Sequence, residues 1–465
     1  MNLLGEIVAG DQIASGIFPG LTGEAPLLWY DGDNVIFDNG GVRKGPGLLG
    51  LENLAATPTG IKSTVAATES RAFVGAGTIA YRYRTADGLT NIGSFAASGG
   101  VYQFLPWDTW CLISNGVDPV ELWQNAGSSA AITAPFTRAN TLFGYQLQAF
   151  VGGTSNGGKL VEWSPVNAVL DWTQTATGTA GQLNLRELAG DIVAARPIGN
   201  SIGVYSQSNA GLFSFIGGTS IYGFRKPISG VSAISPYSVI SFGDRHYGMT
   251  RENVFLSDLV SFYLIDEPAV RTYIKDNADW DRITEVYGWP DWANNIARWQ
   301  IPKLGGGKFG LGYRIDKNSW TKFNDSVILG EERGAFSNQL LAKTSRLLRQ
   351  DPSTGNNDGS AMSAFVQTKP LAFGDRNRFK RVMKLSIDGV WSGTVNVLWG
   401  YTNHPNETPT FSITKPIANE IYMDELSQQS EGVYVSLKIE STAAGATWKI
   451  NGCKIFGEFT GLVNI

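Results

Sequence analysis

The stretch WCLISNGVDPVELW, residues 110–123, contains the unit that decides the fold of this chain. Four residues with apolar character, 110–113, are followed by Ser114-Asn115-Gly116 and then by residues 120–123, which end in an aromatic side chain. Asn and Gly suit tight turns because they tolerate positive φ, and β-branched and aromatic residues suit a pleated surface. The stretch therefore predicts two short strands joined by a turn.

The same unit recurs along the chain, at a spacing of about 45 residues, which is the length of one four-stranded propeller blade. The other copies pair residues 72–75 with 79–81, 148–151 with 160–163, 202–205 with 212–215, 246–249 with 254–256, 309–313 with 320–323, and 339–342 with 347–349. Blades stacked in a ring bury the faces that one blade alone leaves exposed. We predict an all-β protein with a β-propeller of six or seven blades. The alternative is an irregular β-sandwich, although sandwiches rarely need seven equivalent hairpins.

The composition agrees with an all-β chain and limits the possible partners. The 465 residues include 56 glycines, 11% aromatic residues and 17% charged residues, against about 25% charged in average soluble domains. The net charge is −4, so a tight and static complex with nucleic acid is not favoured. The two cysteines, Cys111 and Cys453, are too few for a disulfide framework and are expected to be buried.

No part of the sequence has the pattern of a signal peptide or a membrane span. Residues 1–10 lack a basic region followed by an apolar run, and no stretch of about 18 apolar residues occurs. We therefore expect assembly in the cytoplasm of the cell that makes the protein, without insertion into a membrane.

One helix is predicted within the repeats. Asp266-Glu267-Pro268 has the acidic residues and early proline of a helix start, and Val270, Tyr273 and Ile274 form one apolar stripe. The surrounding segment, about residues 258–300, carries four tryptophans: Trp280, Trp289, Trp292 and Trp299. Because aromatic residues are enriched at the centres of interfaces, these four are candidates for a contact between subunits of a ring. The alternative is that they fill the cores of the blades.

The domain boundaries are predicted from changes in pattern. Residues 1–58 are expected to be an extended leader and residues 59–352 the propeller. Residues 353–359, rich in Gly, Asn and Ser, are expected to be a linker. After it, hydrophobic and polar residues alternate, as in residues 433–440, which indicates half-buried antiparallel strands. We predict a separate C-terminal β-sandwich over residues 360–465.

The sequence contains few signals of catalysis, and we predict no catalytic residue, no cofactor and no metal. His246 and His404 are the only histidines, which is a poor basis for a zinc site. Gly305-Gly306-Gly307-Lys308 is followed by Phe309 where a phosphate-binding loop needs Ser or Thr, so it is interpreted as a hairpin turn. The turn at 315–320, which contains Asp316, is similar to a sialidase turn but is one residue short, and we interpret it as structural.

One basic cluster stands out in the C-terminal part of the chain. It consists of Arg376, Arg378, Lys380, Arg381 and Lys384. These side chains are candidates for a contact with DNA phosphates or with another subunit. The other interpretation is an exposed strand edge that charge keeps soluble.

The order of these features resembles the packaged-DNA stabilisation proteins, or tail nozzle (tail hub) proteins, of short-tailed bacteriophages. The resemblance covers most of the chain. It is carried by Val270-x-x-Tyr273, Ile301-Pro302, Tyr313-Arg314-Ile315-Asp316, Trp320, Leu437-Lys438-Ile439-Glu440, residues 450–455, and the phrase Gly41-Val42-Arg43-Lys44-Gly45-Pro46-Gly47.

The resemblance implies a structural virion protein located in the tail. Six copies would form a hexameric ring below the portal-adaptor (head-to-tail connector) ring, and tail needle or fibre proteins would attach nearby. The ring would extend the channel, retain packaged DNA, and allow double-stranded DNA to pass at ejection. Two other functions stay open on sequence alone: a carbohydrate-binding or glycosidase-type tail propeller, and a non-viral propeller scaffold.

Overall fold

The computed structural model describes residues 2–8, 29–38, 41–175, 178–217, 221–225, 228–332, 334–422 and 431–462. These residues form β-strands, one α-helix, Pro268–Asn277, and one 3-10 turn, Ile283–Glu285. The chain divides into two compact units. The first comprises residues 1–49, 310–325 and 350–465, and the second comprises residues 50–309 and 326–349.

Seven sheets built largely of antiparallel strands follow one another along the chain, and we number them blades 1 to 7; in blade 7, Asn357 pairs with Leu48 in parallel. Blade 1 consists of Pro58–Ala66, Glu69–Ala76, Ile79–Arg84 and Gly88–Ser94, and blade 2 of Gln103–Trp107, Trp110–Ser114, Glu121–Trp123 and Ala130–Ala131. Blade 3 consists of Ala139–Tyr145, Gln148–Thr154, Gly157–Trp163 and Gly181–Asn184, and blade 4 of Ile192–Ile198, Ser201–Ser206, Asn209–Phe215 and Tyr222–Phe224, with Ile228–Ser229. Blade 5 consists of Val239–Phe242, Arg245–Met249, Val254–Ser257 and Phe262–Leu264, and blade 6 of Tyr287–Asp291, Ile296–Pro302, Lys308–Arg314 and Ser319–Phe323. Blade 7 consists of Leu329–Gly330, Leu340–Lys343, Arg346–Asp351 and Gly47–Asn53, extended by Asn356–Asn357 and Ser360–Ala361.

The blades form a closed ring. The first strand of each blade contacts the first strand of the next, and the first strand of blade 7 contacts that of blade 1. Neighbouring blades also share one core: Phe143 and Phe150 of blade 3 pack with Val204 and Phe213 of blade 4. The protein therefore contains a β-propeller, as the repeat predicts, and it has seven blades.

Blade 7 is completed by a segment from near the start of the chain. The amide of Leu54 donates a hydrogen bond of 2.9 Å to the carbonyl of Ser345. Next to it, Arg346 donates to the side-chain oxygen of Asn53 at 3.0 Å. The ring is thus closed by non-covalent pairing between its first and last strands, which leaves few open sheet edges.

Each predicted hairpin belongs to a different blade, but the sixth has another position within its blade. Six hairpins are the second and third strands of their blades, whereas residues 309–323 are the third and fourth strands of blade 6. The second strand there, Ile296–Pro302, is buried along its whole length. The three glycines before Lys308 all have positive φ, at 82°, 109° and 75°. They form the predicted hairpin turn.

The first of the two units, which comprises residues 1–49, 310–325 and 350–465, contains a β-sandwich. One sheet has the order Val35–Asp38, Gly41–Lys44, Thr447–Leu462, Arg378–Ser392 and Glu420–Tyr422, and Asn2–Val8 also pairs with Thr447–Leu462. The second has the order Trp29–Asp33, Ala364–Thr368, Tyr434–Ser441, Asn396–Thr402 and Thr410–Pro416. Their facing side chains, such as Trp399, Leu437 and Ile455, form one core.

The sandwich contains strands that the sequence did not assign to it. Val42 pairs with Ile450, and Trp29 pairs with Thr368, so residues of the predicted leader 1–58 belong to both sheets. Part of the predicted linker 353–359 also forms a strand, Asn356–Asn357. That strand belongs to the sheet of blade 7 and pairs with Ser360–Ala361. The partners of Val42 and Trp29, in contrast, are hundreds of residues away along the chain. Local pattern therefore carries no information about them.

Three further predictions concern the two cysteines, the helix and membrane-spanning segments. Cys111 and Cys453 are buried as free thiols. Val270 and Ile274 of the helix are buried, while Glu267 at its start makes no side-chain cap. Over the described ranges, no helix has the length and apolarity needed to cross a membrane.

Candidate functional site

The first strands of the blades surround a cavity of about 560 Å³, which we call the axial pocket. All seven blades contribute to its lining. The residues are Lys62, Ser63, Thr64, Phe104, Leu105, Pro106, Leu142, Phe143, Gly144, Ala195, Arg196, Pro197, Ile240, Ser241, Gly243, Gly288, Pro290, Trp292 and Glu332. Concave sites of this size, with apolar walls and few polar groups, are where proteins most often bind small ligands. The axial pocket is therefore the first candidate for a functional site.

Three charged side chains meet in the axial pocket. Glu332 follows the first strand of blade 7, and its carboxylate lies 2.5 Å from Nζ of Lys62 on blade 1. The other carboxylate oxygen lies 3.0 Å from the guanidinium of Arg196 on blade 4. Blades 4 and 7 are not neighbours in the ring, so the Arg196–Glu332 pair connects blades across the propeller.

Arg196 is held on several sides. Its guanidinium donates to the carbonyls of Pro236, at 2.5 Å, and Val239, at 3.2 Å. It also lies 5.1 Å from the ring centroid of Tyr237, a cation–π distance. Because the Arg196 side chain is only 6% exposed, its charge depends on these partners and on Glu332.

The charge state of Glu332 excludes a role as a general acid. Burial alone would favour its neutral form, but Arg196 and Lys62 outweigh that effect and lower its pKa to about 2. A carboxyl that stays ionised at neutral pH cannot act as a general acid. Glycosidases of the common type need two carboxyl groups, and Glu332 is the sole acid among the described residues that line the axial pocket.

Aromatic rings fill the interior of the propeller. Tyr237 and Tyr287, which lie next to the first strands of blades 5 and 6, stack with their centroids 4.1 Å apart. The hydroxyl of Tyr237 donates to the carbonyl of Tyr102, before blade 2, at 2.7 Å. All three tyrosines are at most 5% exposed. These contacts cross the ring interior, and the axial pocket beside them, of about 560 Å³, is far smaller than a channel for duplex DNA.

The four candidate interface tryptophans lie in different environments. Trp289 and Trp299 are buried in blade 6, and the indole N–H of Trp299 donates to the carbonyl of Ser238 at 3.2 Å. These two fill a blade core, so they are not available to a partner. Trp280 is half-buried, and its indole donates to the carbonyl of Lys275 at 3.2 Å. Trp292 is 47% exposed at the axial pocket.

The residues of the predicted basic cluster lie on or next to the strand Arg378–Ser392, and they differ in burial. Arg376 and Arg378 are exposed, and Arg378 lies 3.7 Å from Asp375. Lys380, in contrast, is buried, and its ammonium donates to the carbonyls of Arg378, at 2.8 Å, and Val433, at 2.7 Å. Lys380 therefore stabilises the fold and does not form part of an exposed basic surface.

The remaining two members of the cluster are ion-paired. Arg381 lies 3.3 Å from Glu458. Lys384 lies 2.7 Å from Glu420 and 4.9 Å from the ring centroid of Tyr422. A contact of these residues with DNA or another subunit stays a prediction, and it would have to compete with these carboxylates.

Lys62, Arg196 and Glu332 are not among the site residues that the sequence predicts. A signal was present for Arg196, which interrupts a short apolar run in the first strand of blade 4. Lys62 follows Ile61 in a strand that continues with Ser63 and Thr64, and gives a weaker signal. A charge at such a position faces the ring interior and needs a partner. The partner of Lys62 is 270 residues away, however, and the sequence does not reveal it.

His246 is a core residue. One ring nitrogen lies 2.6 Å from the hydroxyl of Tyr205, and the other lies 2.8 Å from the carbonyl of Pro197. Burial lowers its pKa to about 4. The histidine is therefore neutral at physiological pH.

This burial predicts a pH dependence of stability. Below the ordinary pKa of 6.5 the unfolded chain binds a proton at His246, while the folded chain does not bind it until about pH 4. Stability should therefore fall as the pH drops, by about 2 kcal/mol from this site between pH 7 and pH 5. Urea denaturation at both pH values should show a smaller decrease for His246→Gln than for the wild type. An equal decrease in both proteins would contradict the assignment.

The chain was compared with family models, curated proteins and solved structures. No family model matches the chain, and no curated protein matches it. Among solved structures, the WD40 β-propeller domain of Doa1 is similar with a TM-score of 0.43 and 8% identity, over 64% of this chain and 94% of that domain. PorZ, a surface component of the type-IX secretion system of Porphyromonas gingivalis, is similar with a TM-score of 0.38 and 11% identity, over 76% of this chain and 44% of PorZ.

Proposed function

We propose that this protein is a structural virion protein, a subunit of the tail nozzle ring of a short-tailed bacteriophage. One observation carries the proposal beyond the sequence resemblance: the interior of the propeller is occupied by Tyr102, Tyr237 and Tyr287 and crossed by the Arg196–Glu332 pair. Apart from the axial pocket, of about 560 Å³, the interior of such a propeller offers no passage for a duplex among the described residues. Genomic DNA would pass between copies of the chain, through the centre of the ring.

The segments that carry the resemblance occupy structural positions. Residues 41–47 run from the sandwich strand Gly41–Lys44 to the strand Gly47–Asn53, which belongs to the sheet of blade 7. Trp320 is fully buried, and Arg314 pairs with Asp316 at 2.8 Å and with Asp38 at 2.6 Å. Asp316 is thereby engaged in an ion pair, which supports the structural interpretation of its turn over a catalytic one.

The charge of the chain is compatible with a channel for DNA. Each copy has a net charge of −4. Every phosphate that a protein neutralises adds affinity through counterion release, so a strongly basic lumen would hold the genome in place. A neutral or acidic lumen would let the duplex slide. Portal-adaptor, needle and fibre proteins remain the partners that the proposal implies.

The proposal predicts a hexameric ring with a heterologous interface, in which two different patches of each copy meet. Light scattering of the purified chain and negative-stain imaging should show rings of six. Trp292→Ala should shift the ring toward monomers. The thermal midpoint should fall slightly, because the indole lies 4.1 Å from the ring of Phe242 between centroids and donates to the carbonyl of Glu332 at 3.3 Å. Val260→Ser, at a residue that is 79% exposed, is the matched control and should assemble normally.

Two results would overturn this assignment. One is a wild-type chain that stays monomeric at all concentrations and lies outside the tail when virions are imaged with a specific antibody. The other is turnover of a host polysaccharide by the purified protein. Normal rings of Trp292→Ala would reject only the role of that tryptophan.

A further inference from the structure

A second concave site lies in the sandwich unit, and nothing in the proposed function uses it. It is a cavity of about 370 Å³ at the ends of the strands Gly41–Lys44, Arg378–Ser392 and Thr447–Leu462, and we call it the strand-end pocket. Three basic side chains line it: Arg43, Lys44 and Lys449. No acidic side chain is among the described residues of its lining.

Lys44 is the unusual member of this group. The residue is 5% exposed, and its ammonium donates to the carbonyl of Ala446 at 2.9 Å. An ammonium has three N–H donors, and within the described part of the chain no carboxylate pairs with this one. Burial accordingly lowers the pKa of Lys44 to about 8. A buried charge without a counter-charge is costly to the fold, so a ligand that supplied negative charge would bind favourably here.

The positive charge around the pocket is only partly balanced. Arg43 lies directly opposite Lys449 on the neighbouring strand, an arrangement of like charges that is unfavourable by itself. Asp38 pairs with Arg43 at 2.5 Å but also with Arg314 at 2.6 Å. Asp316 also pairs with Arg314, at 2.8 Å, so two carboxylates face these two guanidiniums, and the excess of positive charge in the lining comes from Lys44 and Lys449.

The rest of the wall is apolar and aromatic. Trp391 is half-buried and lies opposite Trp448 across the two strands. Pro46 and Pro352 also contribute, with Val390 exposed beside them. Aromatic faces beside a cluster of cations suit a ligand that has an anionic group and a body able to pack on a ring.

We propose that the strand-end pocket binds a phosphorylated sugar, with the phosphate at the ammonium of Lys44 and the sugar ring against Trp391. The dimensions favour a sugar phosphate over duplex DNA, because a cavity of about 370 Å³ encloses a small molecule and not a double helix. Lys44 supplies the buried charge. Strand alternation places Arg43 and Lys449 on the other face of the sheet, where they add positive potential at the rim of the pocket. The site is independent of ring assembly.

Calorimetric titration of the full chain with a hexose 6-phosphate tests the proposal. We expect saturable binding, weaker binding of inorganic phosphate, and none of the unphosphorylated hexose. Lys44→Met, which keeps the apolar stem and removes the charge, should weaken binding at least tenfold and leave the thermal midpoint unchanged or higher. Lys454→Met, an exposed lysine on the same strand as Lys449, controls for net charge and should bind as the wild type does.

The results separate a binding site from a merely structural lysine. Unchanged affinity in Lys44→Met, or equal affinity for the sugar with and without phosphate, would overturn the proposal. So would capture of a DNA duplex through the same lysine with no binding of the sugar phosphate. If Lys44→Met fails to fold, Lys449→Gln at the half-buried rim replaces it, with a several-fold loss of affinity expected.

Discussion

Replacing Glu332 by glutamine is expected to lower the free energy of unfolding of the propeller by about 3 kcal/mol. The substitution keeps the size of the side chain and removes the charge that compensates Arg196 and Lys62. Arg196 would then remain buried with carbonyl partners and the ring of Tyr237, but with no counter-charge at this position. Urea denaturation monitored by tryptophan fluorescence measures the change.

The control is the same substitution at an exposed ion pair in the same unit. Glu285 lies 2.7 Å from Arg282, and both side chains are more than 40% exposed. Glu285→Gln should therefore change stability by less than about 1 kcal/mol. Equal effects of the two substitutions would show that the Glu332 pairs contribute no more than a surface contact.

The pH dependence gives a second measurement of the same pairs. The pKa of Glu332 is lowered in the folded state from 4.5 to about 2. Its contribution is therefore fully present above pH 4.5 and is lost as the pH falls toward 2. Because Glu332→Gln cannot titrate, its stability should decrease less steeply than that of the wild type over this range.

Gly75→Ala is expected to destabilise the propeller by about 3 kcal/mol, near the upper limit for overpacked cores. Gly75 lies in the second strand of blade 1, and a Cβ there would be 2.0 Å from Cγ of Tyr102. Tyr102 is fully buried, stacks on Phe104, and meets the ring of Phe95 edge-on, so it cannot move aside. A thermal melt should show the loss as a lower midpoint.

Gly334→Ala provides the comparison. A Cβ at Gly334 meets no atom within 4 Å, so the loss of the glycine alone should have almost no effect on stability. A midpoint of Gly75→Ala equal to that of the wild type would mean that the aromatic packing around Tyr102 is loose enough to accept a methyl group.

The sequence by itself determined the repeating part of this protein. Each hairpin is specified locally, by turn residues such as Asn115 and Gly116 and by strands of fitting length, so every predicted hairpin is found in a separate blade. The hairpin spacing predicted the propeller for the same reason. The burial of Cys453 also followed from local alternation along its strand.

Only the tertiary structure decided the sites and the composition of the sandwich. Residues 29–38 and 41–44 join sheets in which their partners in the C-terminal part begin after residue 360, and the ion pairs of Glu332 connect blades 1, 4 and 7. Trp289 and Trp292 are three residues apart, yet one is buried and the other is 47% exposed. Partners far apart in sequence are chosen by packing and charge compensation in the closed ring, whereas a local pattern records only which residues can turn and which can form a strand.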